Sequence, residues 1–471
     1  AVVVAGGCNL ISGLSDLSIG ETTSTTTSGS GGTAGTAGSG GTGGSTSTGT
    51  DHCSDNEKNV DETGRDCGGP TCAPCPLLQP CAQHSDCLSE LCLDTACTGV
   101  TQLSVGNAHA CAVLDTGALY CWGDNTSGQL GAGDDVVHAG PVVATLTGVI
   151  EVAAGGLPEA KTSAHTCARR MDGSVACWGA NGFGQLGKGD TGPAVLTPTT
   201  VPALAGAKRI AAGGEFSCAI TAADAVACWG ANAHGQLADG TSSDAPDPIT
   251  PPFPPEMALI VDLSLGPLHA CAVSGDGHMA CWGNNESKQV GDENVSGLSK
   301  VHLLDTLSGV TLAGAGNDFT CARNPAGFAC WGDNSDSQLT SAVAGNDTAT
   351  PTPIVLGPVS AFALGADGDT GAGNDAAGGH ACVALASSGK VACWGNNRSG
   401  QLGRGNTSEK EALPVEISGI DDAIEVATGA EFSCVRRSSG GVRCWGRNDL
   451  GQLGTGTSGD AQSSPVPIAW P

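Results

Sequence analysis

Cysteine is the residue here with the most capacity for chemistry. The chain of 471 residues holds 23 cysteines, a density that serves disulfides, metal sites or a reactive thiol. Fourteen recur in pairs nine to eleven residues apart: Cys111 and Cys121, Cys167 and Cys177, Cys218 and Cys228, Cys271 and Cys281, Cys321 and Cys330, Cys382 and Cys393, and Cys434 and Cys444. The second of each pair opens the tripeptide Cys-Trp-Gly. Trp122, Trp178, Trp229, Trp282, Trp331, Trp394 and Trp445 therefore repeat at intervals of 49 to 63 residues. Eight further cysteines crowd into residues 51–99, namely Cys53, Cys67, Cys72, Cys75, Cys81, Cys87, Cys92 and Cys97, and Cys8 stands alone.

The elements that must position the paired cysteines follow from one stretch, "HACAVLDTGALYCWG" from His109. Read as a β-hairpin centred on Thr116, it sets Cys111 opposite Cys121 and Trp122 opposite Ala110. The residue before the first cysteine is small in all seven copies: Ala110, Thr166, Ser217, Ala270, Thr320, Ala381 and Ser433. Two copies change the turn length by one residue and keep both relations. The spacing predicts seven hairpin disulfides with the tryptophans on the opposite sheet face. Closing a ten-residue loop is worth roughly 2–3 kcal/mol, less what the hairpin already restricts.

Upstream of each hairpin lies a strand ending in glycine, such as "RIAAGG" from Arg209 or "EVATGA" from Glu425. Before that comes another short segment, such as "TPIVL" from Thr352 or "LPVEI" from Leu413. Four short strands at a period near 50 residues make a propeller blade. The first repeat lacks the earliest segment, and "SSPVPIAW" at the C-terminal end is a spare of the same type. The expected architecture is thus an all-β, seven-bladed propeller over residues 100–471, closed by the C-terminal strand joining the first blade.

Three segments precede it. Residues 1–8, "AVVVAGGC", read as a signal-peptide remnant. They resemble a bacterial lipobox, with Ala5 where leucine is usual, so Cys8 is the expected lipid attachment site. Residues 9–50 are dominated by Gly, Ser, Thr and Ala and read as a flexible tether, some 30 Å across for 30 residues. Residues 51–99 are too short to fold on burial alone and require staples. "KNVDETGRDCGGPTCAPC" resembles a cysteine-rich module of secreted and surface proteins of myxobacteria. The Cys72/Cys75 spacing also suits zinc, but the secretory setting favours disulfides, of unreadable connectivity. The acidic run from Asp55 to Asp66 reads as a solvated face, because Val60 stands where a calcium loop needs glycine.

"WGDNTSGQLGAGD", "WGANGFGQLGKGD", "WGNNRSGQLGRGN" and "WGRNDLGQLGTGT", after Cys121, Cys177, Cys393 and Cys444, resemble the repeats of the regulator of chromosome condensation family. The resemblance implies the seven-bladed propeller. Function is open, since the family includes a chromatin-bound exchange factor and a secreted β-lactamase inhibitor. The motif decays to "GQLA" at Gly235, "KQVG" at Lys288 and "SQLT" at Ser337, where altered loops are expected.

Charge narrows the choice. The chain carries 47 acidic and 19 basic residues, a net of −28, which repels phosphate backbones and anionic headgroups. Nucleic acid is therefore not an expected partner, and exchange activity on chromatin is disfavoured. No apolar run reaches the length of a membrane span, so membrane contact is expected only through a lipid. His109, His165, His269 and His380 each sit two residues before a cysteine, but Phe216, Phe319 and Phe432 take the same position elsewhere. A position that accepts phenylalanine is for packing a ring, not for ligating metal. No nucleophile elbow, zinc-protease helix or phosphate loop is present, and no cofactor is expected. Carboxylates meeting across loops, as in glycosidases, are the one enzymatic alternative left. Two insertions, "GGLPEAKTSAH" from Gly155 and "GADGDTGAGNDAAGGH" from Gly365, should project from one face, where binding residues concentrate. The reading is a monomeric, lipid-anchored scaffold of a bacterial envelope, at the outer membrane or cell surface, that binds protein or glycan through its loops. Failing the anchor, it is periplasmic or secreted. Its runner-up is an inhibitor or regulator of a secreted hydrolase.

Overall fold

The computed structural model describes residues 3–5, 10–12, 53–54, 56, 58, 61–158, 162–294, 298–339, 347–366 and 379–471. Cys8, nearly all of the 9–50 tether and most of the second insertion lie outside the described residues.

Residues 100–471 fold into seven four-stranded antiparallel sheets in chain order. The first blade comprises an inner strand Val100–Val105, a second strand His109–Leu114, a third Leu119–Gly123 and an outer His138–Val143. The other inner strands are Val149–Gly155, Arg209–Ala212, Ile260–Leu265, Leu312–Ala315, Val359–Ala366 and Ala423–Thr428. Inner strands pack on inner strands of neighbouring blades around the axis. Two short strands, Val3–Ala5 and Leu10–Ser12, pair with each other, and the second meets Phe362 and Ala361 at the inner edge of blade 6.

The hairpin register is the same throughout. Cys111 pairs with Cys121 and Ala110 with Trp122, and the corresponding residues pair in the other six blades. All seven cysteine pairs are bonded. Their Cα–Cα separations of 4.0–4.2 Å belong to non-hydrogen-bonded pairs, where side chains come closest. The seven tryptophans are fully buried between blades. The position after each tryptophan requires glycine for a geometric reason: Gly123 has φ +101°, and a Cβ there would lie 2.5 Å from the Ala108 carbonyl oxygen.

The outer strands depart from the sequence reading. The first three residues of "TPIVL" end the strand Thr348–Ile354, which pairs with the third strand of blade 5, Cys330 facing Thr352. "LPVEI" pairs within blade 6, Cys393 facing Val415. Each outer strand thus follows its third strand in a simple meander, instead of belonging to the next repeat. The C-terminal strand Gly459–Pro467 is accordingly the outer strand of blade 7, with Cys444 facing Val466, and does not join blade 1. Consecutive strands pair by preference, and nothing in a short meander forces a crossing. Closure is made by backbone hydrogen bonds such as Gly456 N–H to the Ala139 carbonyl at 2.9 Å and by side chains. Trp470 packs edge-on against Tyr120 and Trp122 of blade 1, with ring centroids 5.9 and 6.0 Å apart.

The cysteine-rich module is held by Cys53–Cys72, Cys67–Cys75, Cys81–Cys92 and Cys87–Cys97. Cys72 and Cys75 are thus each bonded to another cysteine. The module docks beneath blades 7 and 1, on the side of the second-to-third turns. Glu90 takes a two-pronged ion pair from Arg443 at 2.5 Å, Leu91 joins the core of those blades, and Gly99 bonds Asp115 in the first blade's turn.

Candidate binding face

The face opposite the module is formed by the inner-to-second loops and the third-to-outer loops. Its rigidity comes from clamps between blades. In the Gly-Gln-Leu-Gly loop, the Gln129 carbonyl accepts the Trp178 indole N–H of the next blade at 2.8 Å. Gln185, Gln236, Gln338, Gln401 and Gln452 do the same for Trp229, Trp282, Trp394, Trp445 and Trp122. Only Trp331 has no such acceptor among the described residues. The final glycine of the motif lets the loop approach: a Cβ on Gly131 would sit 2.7 Å from the Trp178 nitrogen.

A second clamp explains the alternation of histidine and phenylalanine. His109 Nε2 lies 3.0 Å from Thr166 Oγ1 of the next blade, and that hydroxyl donates to the Gln129 carbonyl at 2.7 Å. With the hydroxyl proton so used, the imidazole must carry its proton on Nε2 and donate. His165 meets Ser217, His269 meets Thr320 and His380 meets Ser433 at 2.8–2.9 Å in the same way. Where the ring is Phe216, Phe319 or Phe432, the matching residue of the following blade is Ala270, Ala381 or Ala110. Ring and neighbour agree at all seven junctions. Burial holds the four histidines neutral, pushing them down to about 3 or 4. The position thus packs a ring, and the histidine form adds a hydrogen bond the sequence reading missed. The signal was present in the residue before each first cysteine, but reading it requires knowing which blades are neighbours.

Over blades 2 to 5 the loop face opens into a cleft of about 540 Å³. Leu157 and Pro158, from the first insertion, make one wall with Phe183, and Pro267 and Leu268 make another. Leu157 is pinned by its N–H to Ser163 Oγ at 2.8 Å. Residues 159–161 of that insertion lie outside the described residues. Glu215, Asp244, Glu286 and Asp318 line the same cleft. Burial, reinforced by Asp333, Glu286 and Asp347, pushes Asp318 up to about 7. Burial and Asp244 likewise raise Glu215. Asp318 Oδ1 is held by the Gln289 amide at 2.8 Å.

The decayed motifs keep the loop path. Lys288 and Ser337 take the left-handed conformation of the first glycine, at φ 64° and 62°, and Ala238 that of the last, at 53°. Altered residues thus do not mean altered loops at these positions. The cysteine and tryptophan positions singled out by sequence form the scaffold beneath the cleft and none lines it, while Cys8 lies outside the described residues.

Models of the regulator of chromosome condensation (RCC1) repeat match residues 100–129, 116–157, 172–220, 207–236, 260–289, 388–436 and 423–452. The ultraviolet-B receptor UVR8 of Arabidopsis thaliana is 28% identical over 382 residues, 76% of this chain and 79% of that protein. The human E3 ubiquitin-protein ligase HERC2 is 30% identical over 230 residues, 47% of this chain but only 5% of that protein. Among solved structures, Prp20p of Saccharomyces cerevisiae superposes with a TM-score of 0.63 at 20% identity, covering 78% of this chain and 87% of that one. That structure was described with its binding to Gsp1p and histones.

Proposed function

The propeller of this chain belongs to the regulator of chromosome condensation repeat family, and on that premise we propose an extracytoplasmic, non-enzymatic scaffold that binds a partner protein through its loop face. Lipid on Cys8 would hold it, as a monomer, at a bacterial envelope membrane. The observation that carries this reading is the cleft. One part of its wall is built by the insertion of blade 2, on a ring whose blades are clamped to one another. Protein is preferred to glycan because sugars favour broad aromatic platforms, and Phe183 is the single aromatic carbon ring among the lining residues. Eleven disulfides support an oxidising compartment. Relatives such as Prp20p, with its binding to Gsp1p and histones, are in keeping with a protein partner.

Site-specific photocrosslinking in intact cells tests the proposal. A crosslinker at His234, on the loop face, should trap one envelope protein, and one at Thr116, on the turn face, should not. Cys8→Ala should release chain and partner together into the soluble fraction. Equal trapping at both positions, or at neither, overturns the loop-face reading. Membrane retention of Cys8→Ala overturns the anchor.

A further inference from the structure

The cleft joins two chemistries. Leu157, Phe183 and Leu268 are apolar, Glu215, Glu286 and Asp318 are acidic, and among the described residues no lysine or arginine lines it. Elsewhere on the molecule several buried or half-buried carboxylates are paired with cations: Glu151 with Arg169 at 2.6 Å, Asp422 with Arg437 at 2.6 Å, and Glu431 with Arg447 at 2.9 Å. In the cleft the charges acting on Asp318 are those of Asp333, Glu286 and Asp347, all of its own sign. Gathering like charges in a partly desolvated concavity costs stability, and an incoming cation removes that cost.

A bare metal ion fits poorly. Among the described residues, the sets of three ligating atoms within 4.8 Å of one another are Cys81, Cys87 and Cys97, and Cys53, Glu62 and Cys72, all in the N-terminal module. The cleft carboxylates are spread out instead, which suits a ligand with charge on a flexible chain. Guanidinium is more weakly hydrated than ammonium and tolerates contact with apolar walls.

Resting on the loop-face reading above, we propose that the cleft receives an arginine-bearing segment of the partner protein. The cationic head sits between Asp318 and Glu286, and a flanking apolar side chain lies against Leu157, Phe183 and Leu268. The site therefore selects partners by a basic residue next to an apolar one.

The test uses the full chain and two amidated hexapeptides of one sequence, alternating leucine with either arginine or its neutral isostere citrulline. By fluorescence anisotropy at pH 7.5, the arginine peptide should bind at least about tenfold more tightly. Asp318→Asn and Glu286→Gln should each weaken it about fivefold or more and leave the citrulline peptide unchanged. Near-ultraviolet circular dichroism of the buried tryptophans reports whether each variant is folded. Glu286 is exposed, so its variant carries the test if Asp318→Asn unfolds. Equal binding of the two peptides, or full affinity in both folded variants, overturns the proposal. If crosslinking from residue 234 succeeds while the peptides show no preference, the cationic selectivity is wrong and the loop face stands.

Discussion

The imidazole positions show how one side chain is chosen by another some fifty residues away. Phenylalanine and histidine fill nearly the same space, so burial alone does not decide between them. The neighbour decides. Against Thr166, His109 supplies a proton that the hydroxyl can accept, whereas against Ala110 the ring of Phe432 needs none. The sequence showed that this position wants a flat ring. It did not show the rule, because the rule runs between repeats and the ring order was not yet known. A double-mutant cycle on His109→Phe and Thr166→Ala checks it. Thr166→Ala leaves a buried N–H without an acceptor and should cost about 1–3 kcal/mol. Adding His109→Phe reproduces the combination found between blades 7 and 1 and should recover most of the loss. The expected coupling is about 1–2 kcal/mol, read from denaturant midpoints. Strictly additive single effects would show that the alternation has no energetic content.

At the scale of the element, hairpins were readable because each is local: two strands, one turn, and paired residues that must stay opposed. The outer strand was not. "TPIVL" has the same apolar pattern whether it pairs backwards or forwards, and only the meander assigns it to the preceding blade. The cleft was beyond reading, since its walls run from Leu157 to Asp318 and meet only through the ring. The decayed loops teach a related lesson. Lys288 keeps the shape of a glycine at φ 64°, so its backbone bears the cost of a left-handed residue with a Cβ. Lys288→Gly should therefore raise stability by about 0.5–1 kcal/mol, after the extra freedom glycine has when unfolded. The pair Lys288 loses, with a largely exposed Glu293, offsets little of that. Thermal denaturation of the two chains measures the difference, and an unchanged or lower midpoint would mean the loop is not strained.

Over the whole molecule, buried titratable groups oppose one another across the acid range. The four histidines are depressed to about 3 or 4 by burial. Their stabilising effect is complete above their unfolded value near 6.5 and is lost as pH falls toward their folded values. Asp262 and Asp318 are raised to about 7, and Asp333 to about 6, chiefly by burial. The folded chain holds their protons where the unfolded chain has released them. That contribution is complete below pH 4 and is lost as pH rises through 6 and 7. Between pH 4 and 6.5 the two sets largely cancel, so the native propeller should lose little stability until the aspartates are protonated in both states. Asp262 gives the cleanest test, because it is 5% exposed and burial outweighs every other influence on its carboxyl. It lies on the inner strand of blade 4, under the influence of Arg209 of blade 3 and Glu151 of blade 2. Asp262→Asn cannot titrate. Whatever constant offset the amide brings, its stability relative to the native chain should climb by roughly 3–4 kcal/mol between pH 4 and pH 8. Removing one of three opposing groups should also leave the histidines less balanced, giving the variant a steeper loss of stability on acidification. Denaturant midpoints for both chains at each pH unit would reveal this, and two curves running parallel from pH 4 to 8 would show that Asp262 is already ionised in the folded ring.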